Sequence, residues 1–308
     1  MATITASLVK ELREASGAGM MDCKKALTET DGNIAAAIDW LRQKGLSTAA
    51  KKSGRIASEG LIGIHVDGGI ASIVEVNSET DFVALNDIFQ NFVSTIASIA
   101  TAQGGDLDTV KSAAYPEDGR NVEEQLTHMI ATIGENMNLR RIARLSVSPG
   151  AIGNYIHNAV ADGLGKIGVM VALKSDGDTK ALEAFGKQIA MHIAAAHPVA
   201  INEGDMDPAA VAHEREFLIQ QAKDSGRPEN IIEKMVEGRM RKFFEESVLL
   251  SQTWVIDGES KVSEIVEAQA KELGASIEIT GFECFILGDG IEKKKEDFAA
   301  EVAAVAGS

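Results

Sequence analysis

The sequence predicts an α+β protein of several modules, with helices at its amino terminus, a core of two related α/β subdomains with antiparallel strands, an inserted helical hairpin and a terminal helical segment. Three features lead there. Apolar residues recur at helical spacing over residues 5–45. The period changes to that of paired strands between Gly60 and Val76. A partial echo of that strand-bearing segment returns at Gly150. With 308 residues, the chain also exceeds the roughly 100–200 residues of a single domain.

The first three helices read as TASLVKELREAS, with Leu8, Val9 and Leu12 on one face, MDCKKALTE after the Gly17-Ala18-Gly19 break, and NIAAAIDWLRQKG with Ile34, Ile38 and Leu41. The following STAAKKSGRIASEG is small, polar and locally basic, and reads as a linker or a partly helical tether. LIGIHV, the turn Asp67-Gly68-Gly69 and IASIVEV then form a predicted hairpin, since Asp-Gly accommodates the positive φ of tight turns. After NSETDFV, a helix carries Phe89, Phe92, Val93, Ile96 and Ile99 on one face. Another starts at Asn121, which has capping-box spacing to Glu124, and continues through Val122, Leu126, Met129, Ile130 and Ile133.

The echo pairs Gly60-Leu-Ile-Gly63 with Gly150-Ala-Ile-Gly153, and IASIVEV with KIGVMVAL, which precedes the helix ALEAFGKQIAMHIAAA. Residues 201–249 read as a helical hairpin broken at Asp224-Ser-Gly-Arg-Pro228. TWVI and SIEITGFECFILG read as strands, and EDFAAEVAAVA as a terminal helix with Phe298, Val302 and Val305 aligned. The expected division is 1–56, a helical domain and linker; 57–145, the first core subdomain; 146–200 with 250–284, the second; 201–249, the hairpin; and 285–308, the terminal module.

Charge and motifs exclude several classes of function. Thirty basic against 46 acidic residues give a net charge of -16, which opposes direct binding to nucleic-acid phosphates. Cys23 and Cys284 are too far apart for a metal knuckle and too few for a disulfide framework, so a reducing, cytoplasmic setting is expected. No signal-type block and no run of about 20 apolar residues is present, so no membrane association is expected.

Gly163-Leu-Gly165-Lys-Ile-Gly168 satisfies GxGxxG, but its glycines precede a strand, whereas a dinucleotide site needs them to follow a strand and open a helix. The six histidines have no HxxxH or HExxH spacing, and His192, on a helix of small apolar residues, reads as a hydrogen-bonded structural group. No catalytic residue, metal or cofactor is expected.

Two places leave apolar residues where water should be. Met20 and Met21 are adjacent at a helix start, about 100° apart around its axis; either one faces outward as an adaptable contact, or both fill the core. Phe82 follows the polar run NSETD. Periodicity favours its folding back into the core, the alternative being a turn set by Thr80 and Asp81 from which Phe82 projects.

The sequence resembles the elongation factor Ts family over essentially its whole length, through TASLVKELREASGAGMMDCKKAL, EVNSETDFVAL, IGENMNLRR, KMVEGRMRKF and DFAAEVAAVA in that order. The resemblance implies an amino-terminal module like a ubiquitin-associated domain, a coiled-coil hairpin, and guanine-nucleotide exchange on elongation factor Tu in its GDP-bound and nucleotide-free states. It implies that Asp81 and Phe82 enter the partner's GTPase domain, with Thr80 supporting the turn and Val83 beside them. It carries further contacts to Met20 and Met21, with Arg13 and Lys24 as neighbours, to Ile133 and Gly134, to His157, and to Phe298 of the tail. A homodimer or 2:2 complex through 201–249 is a further expectation. The sequence has Leu85 where the family often has a charge, and extra residues near 101–116 and 161–166. The rival readings are a scaffold that self-associates through the hairpin and an enzyme using the glycine run.

Overall fold

The computed structural model describes residues 4–116, 119–224 and 228–292. At the amino terminus, α1 (Ala6–Ser16) is capped by the Thr5 hydroxyl, which accepts from Leu8 N–H, and ends at Gly17 in the left-handed region. Helices α2 (Met20–Glu29) and α3 (Ile34–Lys52) complete a bundle around Leu12, Cys23, Ala26, Leu27 and Ala37. Of the linker and the partly helical readings the structure bears out the second: the second half of α3 runs through LSTAAKK and ends at Lys52. That half is helical because it has a surface to lie on, with Gly45 close to Ala131 of α6 (Val122–Ile133). Arg42 pairs with Glu124, and the Lys52 ammonium donates to Gly134 O.

The core contains two antiparallel sheets. In the first, the order is β3-β2-β1-β5, with β1 (Glu59–Asp67), β2 (Ile70–Ser78), β3 (Met137–Ser146) and β5 (Leu164–Gly165). The hairpin register sets Asp67 opposite Ile70 across Gly68-Gly69, as the turn residues predict. In the second, β4 (Gly150–His157) and β7 (Glu278–Ile286) flank β6 (Ile167–Lys174).

The echo has a physical counterpart: a glycine of positive φ stands at the start of each strand, Gly60 as the second residue of β1 and Gly150 as the first of β4. At each, an added Cβ would stand 2.1 Å from a carbonyl oxygen of the next strand, Val76 O or Leu173 O. Only glycine fits both demands.

The sheets pack face to face. Ile62, Ala71 and Ile73 of the first meet Ile152, Met170 and Phe285 of the second. The outer face of the first sheet, through Leu61, Val74 and Val76, is covered by α4 (Asp87–Gln103) and α6. The outer face of the second, through Val169, Val171 and Leu173, is covered by α7 (Thr179–Ala196) and α10 (Val262–Leu273). Strand β2 is therefore buried on both sides, which explains why IASIVEV is apolar nearly throughout. Gly168 of the GxGxxG run lies on the inner face, where an added Cβ would meet Ile62 Cγ2 at 2.6 Å; no helix opens on these glycines.

A carboxylate is built into this interface. Glu75 is fully buried on β2 and accepts from Arg140 Nη1 at 2.9 Å, Arg141 Nε at 2.5 Å, Asn77 Nδ2 at 3.0 Å and Gly288 N–H at 2.9 Å. Burial pushes its pKa up, but the bonds from Gly288, Asn77, Arg140 and Arg141 outweigh it and hold the carboxyl below its ordinary range. Arg141 also stacks 4.2 Å from the Phe285 ring centroid and donates to Ile286 O. The end of β7 is thus fastened to β2 and β3.

Helices α8 (Pro208–Asp224) and α9 (Glu229–Ser247) form the expected hairpin, packed through Leu218, Ala222, Ile232, Val236 and Met240. TWVI is not a strand. Thr253 makes one bridge to Lys261, and Trp254 turns inward to stack on His192 at 5.1 Å. His192 is buried, with Nε2 2.9 Å from Gln252 Oε1 and Nδ1 accepting from Val255 N–H, which makes it the structural histidine expected. A short α5 (Leu107–Ser112) occupies the extra residues near 101–116. The proposed tail helix and Phe298 lie outside the described residues.

Candidate functional site

Where β2 ends, Ser78 and Glu79 lead into a 3-10 turn over Asp81–Leu85, and the Asn86 side chain then caps α4 by accepting from Ile88 and Phe89 N–H. A 3-10 turn repeats every three residues, so side chains three apart share a face. Val83 and Ala84 take the inward face and join the core under α4. Phe82 and Leu85 are left on the outer one, 78% and 67% exposed, and Ile88 is exposed three residues further on. The local pattern's preference for a buried Phe82 is therefore overturned. Val83, adjacent to it, provides the apolar anchor instead.

The turn is braced from the loop joining α6 to β3. Thr80 donates its N–H to Glu135 Oε2 at 2.9 Å and its hydroxyl to Glu135 Oε1 at 2.6 Å, while Ser78 Oγ donates to Thr80 O at 2.9 Å. In return Asn136 N–H donates to Glu79 Oε1 at 2.5 Å, and Asn136 Nδ2 donates to Arg55 O at 2.7 Å. Gly134, with φ 90, closes α6 and exposes its backbone beside this brace, and Ile133 is half-buried against the same core. The structure thus gathers Thr80, Asp81, Phe82, Ile133 and Gly134 around one loop pair. Glu135 went unread in the sequence because an acidic residue after a helix-ending glycine has no local signature.

A second exposed apolar site lies at the start of α2. Met20 and Met21 are 61% and 76% exposed, so both face outward, where the sequence reading sent at most one. The bundle leaves no room for them because Cys23, Ala26 and Leu27 already fill the inward face of α2. Arg13 and Lys24 are exposed on α1 and α2. The preceding loop rests on the core, since an added Cβ at Gly17 would lie 3.3 Å from His128 Nε2 of α6.

His157, exposed at the end of β4, has Nδ1 2.9 Å from the Tyr155 hydroxyl. In the connections after α7 and before α10, Val199, Val255 and Ile256 are exposed apolar groups that sequence periodicity does not reach. Among the described residues, no group of three His, Cys, Asp or Glu side chains could hold a metal ion, and no helix is long and apolar enough to cross a membrane.

The sequence profile of the family described as elongation factor TS matches residues 79–289, which begins at the braced turn and ends with β7 and the loop after it. The chain belongs to the elongation factor Ts family. Elongation factor Ts of Rhodospirillum rubrum is 61% identical over 305 residues, covering 99% of each chain. That of Rhodospirillum centenum is 57% identical over the full length of both, and that of Rhizobium etli 58% identical over 99% of each. Membership in the elongation factor Ts family makes this chain a translation elongation factor and places it in protein biosynthesis.

Proposed function

We propose that the chain is the guanine-nucleotide exchange factor of elongation factor Tu and that Phe82, with Asp81, is the wedge that enters the partner's GTPase domain. The observation carrying this reading is an exposed phenyl group, with Leu85 exposed beside it, on a turn that Val83 and Ala84 anchor in the core and whose backbone is braced on both sides. Burying such a ring is worth roughly 1.5–3 kcal/mol, free energy that becomes available only when a partner covers it.

A GTPase holds GDP through backbone amides, a lysine and a magnesium ion. A wedge that displaces the elements carrying those groups weakens the nucleotide without making or breaking a bond. Because coupling is reciprocal, GDP weakens the factor's own hold by the same ratio, so incoming nucleotide drives it off. The chain would work in the cytoplasm, without a cofactor and without touching nucleic acid directly.

In this reading residues 1–56 form the module like a ubiquitin-associated domain, 57–145 and 146–200 with 250–284 the paired core subdomains, 201–249 a coiled-coil hairpin, and 285–308 the terminal module that grips the GTPase domain through Phe298. Met20, Met21, Arg13 and Lys24 form a second contact, and Ile133, Gly134 and His157 further ones. The hairpin's exposed Phe217 and Ile231 are the groups through which two copies would pair.

Stopped-flow release of a fluorescent GDP from elongation factor Tu tests the function: the chain should accelerate release by orders of magnitude, and no acceleration would overturn it. For the joint variant Met20→Ala with Met21→Ala, complex formation weakens by about 1–3 kcal/mol, the usual cost of truncating a contact pair, while thermal stability stays unchanged because neither side chain is in the core. An unaltered dissociation constant by calorimetry would remove the methionines from the contact.

A further inference from the structure

Thr80 occupies the N-cap position of the 3-10 turn yet makes no side-chain cap bond to it. Its polar groups are committed elsewhere. The N–H and the hydroxyl both go to the one carboxylate of Glu135, at 2.9 and 2.6 Å, and its carbonyl accepts from Ser78 Oγ at 2.9 Å. Two bonds from one carboxylate to two atoms of the same residue fix orientation as well as position. The residue so fixed lies immediately before Asp81 and Phe82.

Glu135 is itself held on a short connection. Gly134 O accepts from Lys52, and Asn136 is bonded through its N–H to Glu79 and through its side chain to Arg55 O. The two loops exchange carboxylates, Glu79 reaching to one and Glu135 to the other. The brace therefore joins the base of the wedge to α6, β3 and the end of α3, all packed elements. An exposed ring on a free loop must be ordered each time it is buried, whereas one on a braced turn is ordered beforehand.

We propose that Glu135 is a positioning residue for nucleotide release, acting through Thr80 to set the direction in which Phe82 is presented. The assignment rests on the reading of Phe82 as the wedge. Its effect falls on the step in which the wedge displaces the GTPase, not on the encounter, which the other contacts supply.

The test is GDP release from elongation factor Tu, measured by stopped flow over a range of concentrations of the full-length factor. Glu135→Ala should lower the maximal release rate about tenfold, as expected for losing a charge-assisted contact, with the half-saturating concentration changed less than about threefold. Glu135→Gln should recover most of the rate, because its amide oxygen still accepts the Thr80 N–H and its NH2 can donate to the hydroxyl oxygen. Thr80→Val, which keeps the backbone bond and loses the hydroxyl, should cost about threefold, and should cost nothing more in the Glu135→Ala background.

A folded Glu135→Ala chain with the wild-type maximal rate overturns the proposal. So do effects of Glu135→Ala and Thr80→Val that multiply, since Glu135 would then act other than through Thr80. Should Glu135→Ala fail to fold, Thr80→Val carries the test alone, and a wild-type maximal rate for it overturns the proposal. Phe82→Ala measured alongside separates the two levels: if it releases GDP at the wild-type rate the wedge reading falls, whereas a slow Phe82→Ala with a fast Glu135→Ala removes only the positioning role.

Discussion

Phe82→Ala folds with unchanged stability and slows GDP release from elongation factor Tu on the order of 10²-fold. The first half follows from exposure: the ring contributes little to the core, which Val83 and Ala84 fill beneath it, and substitutions at such surface positions usually fall within about 0.5 kcal/mol. The second half follows from the behaviour of buried aromatic anchors at interfaces, where truncation costs about 2–4 kcal/mol, each 1.4 kcal/mol being a factor of about ten. A melting curve checks the one and stopped-flow release the other. Wild-type release from a folded Phe82→Ala chain would mean that the ring is not the displacing group.

Glu75→Gln has the opposite profile, a large loss of stability with no change in any exposed group. The substitution keeps the shape but leaves Arg140 and Arg141 facing a neutral amide in a site fully shielded from water on the Glu75 side. Breaking a buried pair in this way costs about 3–5 kcal/mol, here somewhat less because both arginines keep some solvent contact, so about 3 kcal/mol is expected.

The pH dependence has a definite sign. The folded-state pKa of Glu75 is held below its ordinary value of 4.5, so its contribution is complete above that value. It is lost as pH falls through the lower folded value, where the unfolded chain takes up a proton that the folded chain resists. Urea unfolding at neutral pH, and again at roughly pH 3–5, should show a lower midpoint for Glu75→Gln and a shallower acid decline than wild type. Equal midpoints at neutral pH would show the network to be energetically silent.

The parts of the fold legible in the sequence were those whose cause is local. Asp67-Gly68-Gly69 marked a hairpin because a tight turn needs that chemistry, and the Asn121–Glu124 capping box is present as its spacing required. What escaped has a cause distant in the chain. LSTAAKK has no stripe strong enough to decide between linker and helix beyond Gly45, and becomes helical against α6. TWVI has strand-like residues, but Trp254 is drawn out of line by the buried His192. Met137–Ser146 lacks a clear alternation because Arg140 and Arg141 both reach Glu75 across the sheet. At the candidate site, the exposure of Phe82 is set by the three-residue period of a turn too short to announce itself, and the Thr80–Glu135 contact joins residues 55 positions apart.

The helical hairpin leaves and rejoins the core at a single point. Ala200 and Val248 form a parallel bridge, with Val199 N–H donating to Ser247 O at 2.8 Å and Leu249 N–H to Ala200 O at 2.9 Å. Leu249, next in the chain, is already fully buried between the second sheet and its helices. Topologically, α8 and α9 are a side branch whose ends are tied together at its root. Their length can grow or shrink by whole turns without moving either end, and closing the gap with a short loop costs little because the ends already touch. The end of the branch away from this root, beyond Asp224 of α8 and before Glu229 of α9, is therefore a natural place to graft a tag, a fluorophore or a foreign domain, far along the chain from the residues that would do the exchange.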